Sequence, residues 1–137
     1  MIKSIKVDTE KKGNSVTNLL DDTYLVVANE NMIMAVLRNL LLNANKFTDR
    51  GLISVSASIA NGQVVVCVTD TGVGMEPEKV AGMFSWATRS STPGTKGERG
   101  SGFGLLACKD FVEQHGGRIW AISVVGKGSS FYFSLLK

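Results

Sequence analysis

Asn39, Asn43 and Lys46 interrupt an otherwise apolar run, "NLLLNANKFT" at residues 39–48. Spacings of four and three place all three on one face of a helix. Asn is a mediocre helix former that favours caps and turns, and a purely solvated face more often uses Glu, Lys or Gln. Two carboxamides one turn apart, about 6 Å along the axis, can address one metal-phosphate cluster, because an amide oxygen is a hard ligand suited to magnesium. The ammonium of Lys46 can then meet a phosphate oxygen. For any single Asn, the plainer reading is the wet side of an amphipathic helix.

Two further stretches carry chemistry. In "DTGVGM" (70–75), Asp70 ends a strand and Gly72 and Gly74 follow. Alone this is a tight turn needing positive φ at both glycines. With a ligand, a backbone without Cβ atoms lets a flat molecule approach, and Asp70 accepts a hydrogen bond from an exocyclic amine. In "GERGSGFGLLACK" (97–109), Gly100, Gly102 and Gly104 precede a helix, whose free N–H groups and dipole favour phosphate. The GxxxxGK[ST] loop is absent. The dinucleotide fingerprint does not apply either, since these glycines follow a loop and not a strand. A hinge without a ligand is the alternative for this stretch.

The elements that must position these residues follow from periodicity and turn chemistry. "YLVVAN" (24–29) predicts a strand, and Asn29 an N-cap for a helix over about 30–48. "LISVSASIA" and "QVVVCVTD" predict two strands joined at "NG" (61–62). Pro77 opens a short helix. Residues 85–100 predict a long loop, functional or disordered at that length. "GFGLLACKDFVEQHGG" is an amphipathic helix closed by Gly116, and "RIWAISVVG" and "SSFYFSLLK" form a second hairpin across "GKG". This order predicts an α+β fold, a two-layer α/β sandwich with one mixed sheet and helices on one face. One domain over residues 1–137 is expected, and the alternating start "IKSIKV" suggests a piece cut from a longer protein.

Bulk properties narrow the function. The 137 residues are 44% hydrophobic and 20% charged, ordinary for a soluble globular domain. A net charge of +3 with scattered basic residues gives no case for nucleic acid. Cys67 and Cys108 form no CxxC or His/Cys cluster, so two buried, reduced thiols and no zinc are expected. No apolar run reaches the ~20 residues needed to span a bilayer, so no membrane contact is expected of this domain. A cytoplasmic location is expected, with a parent protein that is membrane-anchored or not.

"NLLLNANKFT", "DTGVGM", "MFSWATRSS" and "GSGFGL" occur in that order at domain-scale spacing. From about Tyr24 to Leu136 the chain resembles the catalytic ATP-binding domain of sensor histidine kinases, in the GHKL superfamily shared with DNA gyrase, a heat-shock chaperone and mismatch-repair ATPases. The resemblance implies a Bergerat-type ATP-binding sandwich with ATP and Mg2+ as cofactors. It makes Asn43 the magnesium ligand, Asn39 the residue one turn before it, Lys46 a neighbour of the phosphates and Phe47 a neighbour of the nucleotide. Asp70 recognises the adenine amine. Gly72, Gly74 and Met75 line the pocket, and Gly100, Ser101, Gly102, Phe103, Gly104 and Leu105 close the phosphate end. Residues from about Met83 to Arg99 become a lid in which Arg89, Lys96 or Arg99 reaches the γ-phosphate. Phe103 stands where Leu is usual, and "FSWATRSSTPGT" departs from the usual phenylalanine-containing box.

The resemblance also implies two-component signalling: γ-phosphate passes to a histidine on a separate dimerisation domain missing from this chain, and a response regulator acts downstream. Related hydrolases and anti-sigma serine kinases resemble one another in placing Glu where Asn39 stands. A neutral amide is no useful general base, whereas a histidine nucleophile attacks with its own lone pair. The expectation is phosphate donation with poor hydrolysis. His115, at the end of a helix, is expected to be structural and not the acceptor. The alternatives are a stand-alone anti-sigma-type serine kinase and a non-catalytic nucleotide-binding scaffold.

Overall fold

The computed structural model describes residues 6–18, 30–84 and 104–136. Its elements are α1 (Lys6–Lys11), β1 (Ser15–Asn18), α2 (Glu30–Lys46), β2 (Leu52–Ala60), β3 (Gln63–Asp70), α3 (Pro77–Gly82), α4 (Gly104–Gln114), β4 (Ile119–Val124) and β5 (Gly128–Leu136). The described strands form one sheet in the order β1-β2-β3-β5-β4. β1 runs parallel to β2 and every other neighbouring pair is antiparallel, so the sheet is mixed.

Period-two alternation decides which face is buried. Ile53, Val55, Val64, Val68, Phe131, Phe133 and Leu135 point to the core. α2 covers them with Val36, Leu40, Leu41 and Ala44, and α4 with Cys108, Phe111 and Val112. α2 and α4 also pack on each other. Leu40 and Leu41 have no exposed surface; truncating either to Ala would cost about 2–5 kcal/mol. The other face of the sheet is mixed, with hydroxyl and aromatic side chains beside the exposed Leu52, Ile122, Val124 and Leu136. Cys67, expected to be buried, lies there only half-buried, because that face has no covering helix among the described residues. There Thr69 and Ser130 share a hydrogen bond of 3.1 Å, and Trp120 stacks on Tyr132 with ring centroids 5.3 Å apart.

The first hairpin turns at Asn61 and Gly62 with φ of 53° and 74°, the two left-handed residues that this tight turn demands. α2 ends two residues before the expected Thr48, and both hairpins fall where alternation put them. Two elements differ from expectation. The alternating start gives way to a helix at Lys6–Lys11, and β1 was not foreseen. "KVDTEK" is made largely of ordinary helix formers. β1 is four residues long and its partner lies far along the chain (Ser15 opposite Leu52), so no local pattern announces it. The strand expected at 24–29 and the Asn29 cap lie outside the described residues, as do residues 85–103 of the expected lid and glycine stretch.

Candidate functional site

The three sequence motifs meet at the C-terminal half of α2. The carbonyl of Phe47, just past the helix, accepts a hydrogen bond from Val73 N at 3.1 Å. This joins "NLLLNANKFT" directly to "DTGVGM". A Cβ placed on Gly104, the first residue of α4, would lie 3.1 Å from Asn39 Oδ1, so the described end of the third motif faces the amide stripe.

The stripe flanks the buried side of α2. Asn39 is exposed, and Asn43 and Lys46 are half-buried. Asn39 Nδ2 donates to the carbonyl of Ala35 at 3.0 Å, which leaves Oδ1 toward Gly104. The carboxamide of Asn43 makes no hydrogen bond among the described residues. Lys46 Nζ lies 5.2 Å from the centroid of the Phe47 ring. Cys108 packs near Asn39; burial pushes its thiol up to about 11, and the Asn39 amide opposes this weakly.

Asp70 closes β3 and is 5% exposed. Its Oδ1 accepts from Gly72 N at 2.8 Å and from Ser129 N at 3.2 Å, while Oδ2 makes no hydrogen bond among the described residues. Burial raises the Asp70 pKa above its ordinary 3.8, and the two backbone donors pull it partly back. The Thr48 hydroxyl also favours the anion, although it is buried and forms no hydrogen bond of good geometry. Desolvation outweighs the donors because a carboxylate loses most of its hydration in such a site.

Gly72 and Gly74 serve the turn more than an approaching ligand. A Cβ on Gly72 would lie 2.2 Å from the Phe47 carbonyl oxygen and 2.8 Å from Thr48 Oγ1. Gly74 has φ of 73°, and its Cβ would lie 2.1 Å from the Val124 carbonyl oxygen. Positive φ, expected at both, occurs only at Gly74. The missing Cβ atoms let the "DTGVGM" turn press against α2 on one side and the β4–β5 turn on the other. Met75 is buried in the hydrophobic core and Leu105 packs against it.

Several residues at the site were not singled out from sequence. Lys12 is buried and its Nζ donates to the carbonyl of Lys46 at 2.9 Å, a cation at a helix C-terminus. Asn14 donates to Asn45 Oδ1 at 2.8 Å and to the Thr48 carbonyl at 2.9 Å, and accepts from Gly51 N at 3.0 Å. Asn45 resembles the stripe asparagines in type, but it is buried and structural. These bonds clamp the end of α2 from the N-terminal side, as Val73 does from the other. Lys79 of α3 brings its Nζ to 5.7 Å from the same Phe47 ring. Nothing in the sequence distinguishes it from any surface lysine.

His115 lies outside this site. Its Nδ1 is 3.0 Å from the Phe111 carbonyl oxygen and its ring packs at a tilt on Phe111, centroids 4.3 Å apart, the geometry of a helix-ending side chain. Arg89, Lys96, Arg99, Gly100, Ser101, Gly102 and Phe103 lie outside the described residues.

No group of three or more His, Cys, Asp or Glu side chains suited to a metal occurs among the described residues. The Asn43 carboxamide oxygen is a hard donor of the kind Mg2+ accepts, and that ion takes most of its remaining ligands from water and substrate phosphates. Among the described residues, no helix is long and apolar enough to cross a membrane.

Comparison with known proteins bears on the family and the fold. Residues 28–137 match the family described as histidine kinase-, DNA gyrase B-, and HSP90-like ATPase. The adaptive-response sensory kinase SasA of Crocosphaera subtropica is 37% identical over 130 residues, which is 93% of this chain and 33% of that kinase. The chain thus spans about a third of that relative's length. The catalytic domain of histidine kinase ThkA, in a nucleotide-free form, superposes with a TM-score of 0.82 at 28% identity, covering 99% of this chain and 87% of that one. Full-length ShkA in complex with AMPPNP gives 0.81 at 26% identity, covering 97% and 27%.

Proposed function

We propose that this chain, which belongs to the histidine kinase-, DNA gyrase B-, and HSP90-like ATPase family, binds ATP with Mg2+ and donates the γ-phosphate to a histidine on a separate dimerisation domain. The observation that carries this reading is the hydrogen bond from Val73 N to the Phe47 carbonyl. It ties the "DTGVGM" turn to the end of α2, which supports a reading in which a single ligand with an amine at one end and phosphates at the other engages both Asp70 and the Asn43–Lys46 face.

Each residue has a distinct task. Asp70 Oδ2 accepts from the adenine amine while Oδ1 stays committed to the backbone. Phe47 packs beside the base or sugar, and Lys46 pairs with a phosphate oxygen. Asn43 would hold Mg2+ through its carboxamide oxygen, and the ion would supply charge neutralisation along the phosphates. Phosphoryl transfer depends mainly on positioning and charge stabilisation, which these groups provide without a covalent intermediate on this chain. Asn39 carries no carboxylate to activate water, so a nucleophile with its own lone pair is favoured over hydrolysis. A response regulator would then take the phosphate from the histidine.

Calorimetric titration of the chain with ATP, with and without Mg2+, tests the reading. Wild type should bind more tightly with the metal. Asn43→Ala should lose most of that metal-dependent gain while keeping metal-free affinity within about threefold, an effect near half a tenfold step of 1.4 kcal/mol. Absence of ATP binding, or an unchanged metal effect in the variant, would remove the assignment.

A further inference from the structure

Two lysines from separate elements converge on one aromatic ring. Lys46 ends α2 and Lys79 lies on α3, yet their Nζ atoms stand 5.2 and 5.7 Å from the centroid of the Phe47 ring. The two ammoniums are therefore no more than about 11 Å apart. The ring attracts each cation weakly, but nothing in that attraction requires two of them. Burial first, and then the charge of Lys46, lower the Lys79 pKa, so each ammonium stands within electrostatic reach of the other. An anion reaching both gains a charge-assisted hydrogen bond at each end. The ring they share belongs to the residue just before Thr48, whose hydroxyl borders Asp70. The lysines thus flank the residue whose neighbour in the chain touches Asp70.

We propose that Lys79 is a second phosphate ligand of the nucleotide site, acting with Lys46 from the other element bordering Phe47, and that it favours nucleotides over nucleosides. This rests on the ATP reading given above. The chemical class of its ligand is the polyphosphate arm of a nucleotide. The base and sugar need no contact from it.

The test is calorimetric titration of wild type, Lys79→Met and Lys79→Arg with Mg-ATP and, separately, with adenosine, with melting curves confirming that each variant is folded. Methionine keeps much of the aliphatic stem over the ring and removes only the charge. Lys79→Met should weaken Mg-ATP binding about tenfold, as expected for one hydrogen bond to a charged group, and change adenosine affinity by less than about twofold. Lys79→Arg should restore most of the ATP affinity. Unchanged ATP affinity in Lys79→Met, or equal losses for ATP and adenosine, would overturn the inference while leaving the nucleotide site standing. Failure of wild type to bind Mg-ATP would overturn both.

Discussion

An Asp70→Asn substitution exchanges one carboxylate oxygen for an amide nitrogen, and the surroundings of Asp70 dictate which one. Oδ1 accepts from two backbone donors, Gly72 N at 2.8 Å and Ser129 N at 3.2 Å. An asparagine must keep its oxygen there, because turning the amide would set an N–H group against two others. Its nitrogen therefore takes the Oδ2 position and presents hydrogens to the adenine amine. The loss combines a hydrogen bond to a charged acceptor, about 1.5–3 kcal/mol, with a donor left facing a donor, about 1–3 kcal/mol. The sum predicts roughly a hundredfold to ten-thousandfold weaker ATP binding, measured by calorimetry.

Stability should move little in the same variant, because the two backbone bonds survive. Burial holds the Asp70 pKa above 3.8, so the folded state keeps this proton more tightly than the unfolded chain does. The contribution of this group to stability is full below 3.8, declines as pH rises through the raised folded value, and is constant above it. The Asp70→Asn variant has no titrating group at this position and so lacks this dependence. Wild type should therefore lose stability relative to the variant across that window as pH rises. ATP affinity of wild type should fall on acidification through the same raised value, as the acceptor is protonated. ATP affinity of Asp70→Asn within about threefold of wild type, where at least a hundredfold is expected, would refute the reasoning. So would a melting temperature lowered as far as by Asp70→Ala, which orphans both backbone donors.

Asn39→Glu places a carboxylate facing Gly104, four residues before Asn43, and should raise basal ATP hydrolysis by up to about a hundredfold, the lower end for general-base assistance; no rise with intact ATP affinity would count against the part assigned to Asn39. The chain incubated alone with γ-labelled ATP should not label itself, since His115 is bound to the Phe111 carbonyl and packed on its ring; stoichiometric label on His115 would contradict that. Asn14→Ala unpairs Gly51 N, Asn45 Oδ1 and the Thr48 carbonyl and should cost about 3 kcal/mol, or roughly 10 °C in melting temperature. A shift under about 2 °C would show that the clamp on α2 is dispensable.

Residues whose role is local were legible in the sequence. Asn61 and Gly62 announce their own turn, the strands beside them alternate, and α2 carries its apolar stripe. The stripe of Asn39, Asn43 and Lys46 stood out because amides are poor choices for a plain solvated face. Residues whose role depends on distant partners were not legible. Asn45 is the same residue type as Asn43, two positions away, yet it turns inward to meet Asn14. Lys12 looks like one more basic residue near the start until its ammonium is seen on the carbonyl of Lys46. β1 exists because Ser15 N finds the Gly51 carbonyl at 3.0 Å, a pairing that no period within four residues encodes. Gly72 and Gly74 stand out in the sequence by their spacing, but which atoms need their clearance, the carbonyls of Phe47 and Val124, is visible only in the fold.

The central claim is that one cavity grips the adenine end of a nucleotide with Asp70 and its metal-phosphate end with Asn43 and Lys46. A crystal structure of this chain with Mg2+ and a non-hydrolysable ATP analogue tests it most directly. The account predicts the adenine amine within hydrogen-bond reach of Asp70 Oδ2, the metal on the Asn43 carboxamide oxygen and a phosphate oxygen at Lys46 Nζ. A bound analogue whose base lies away from Asp70, or whose metal is held elsewhere, would contradict it.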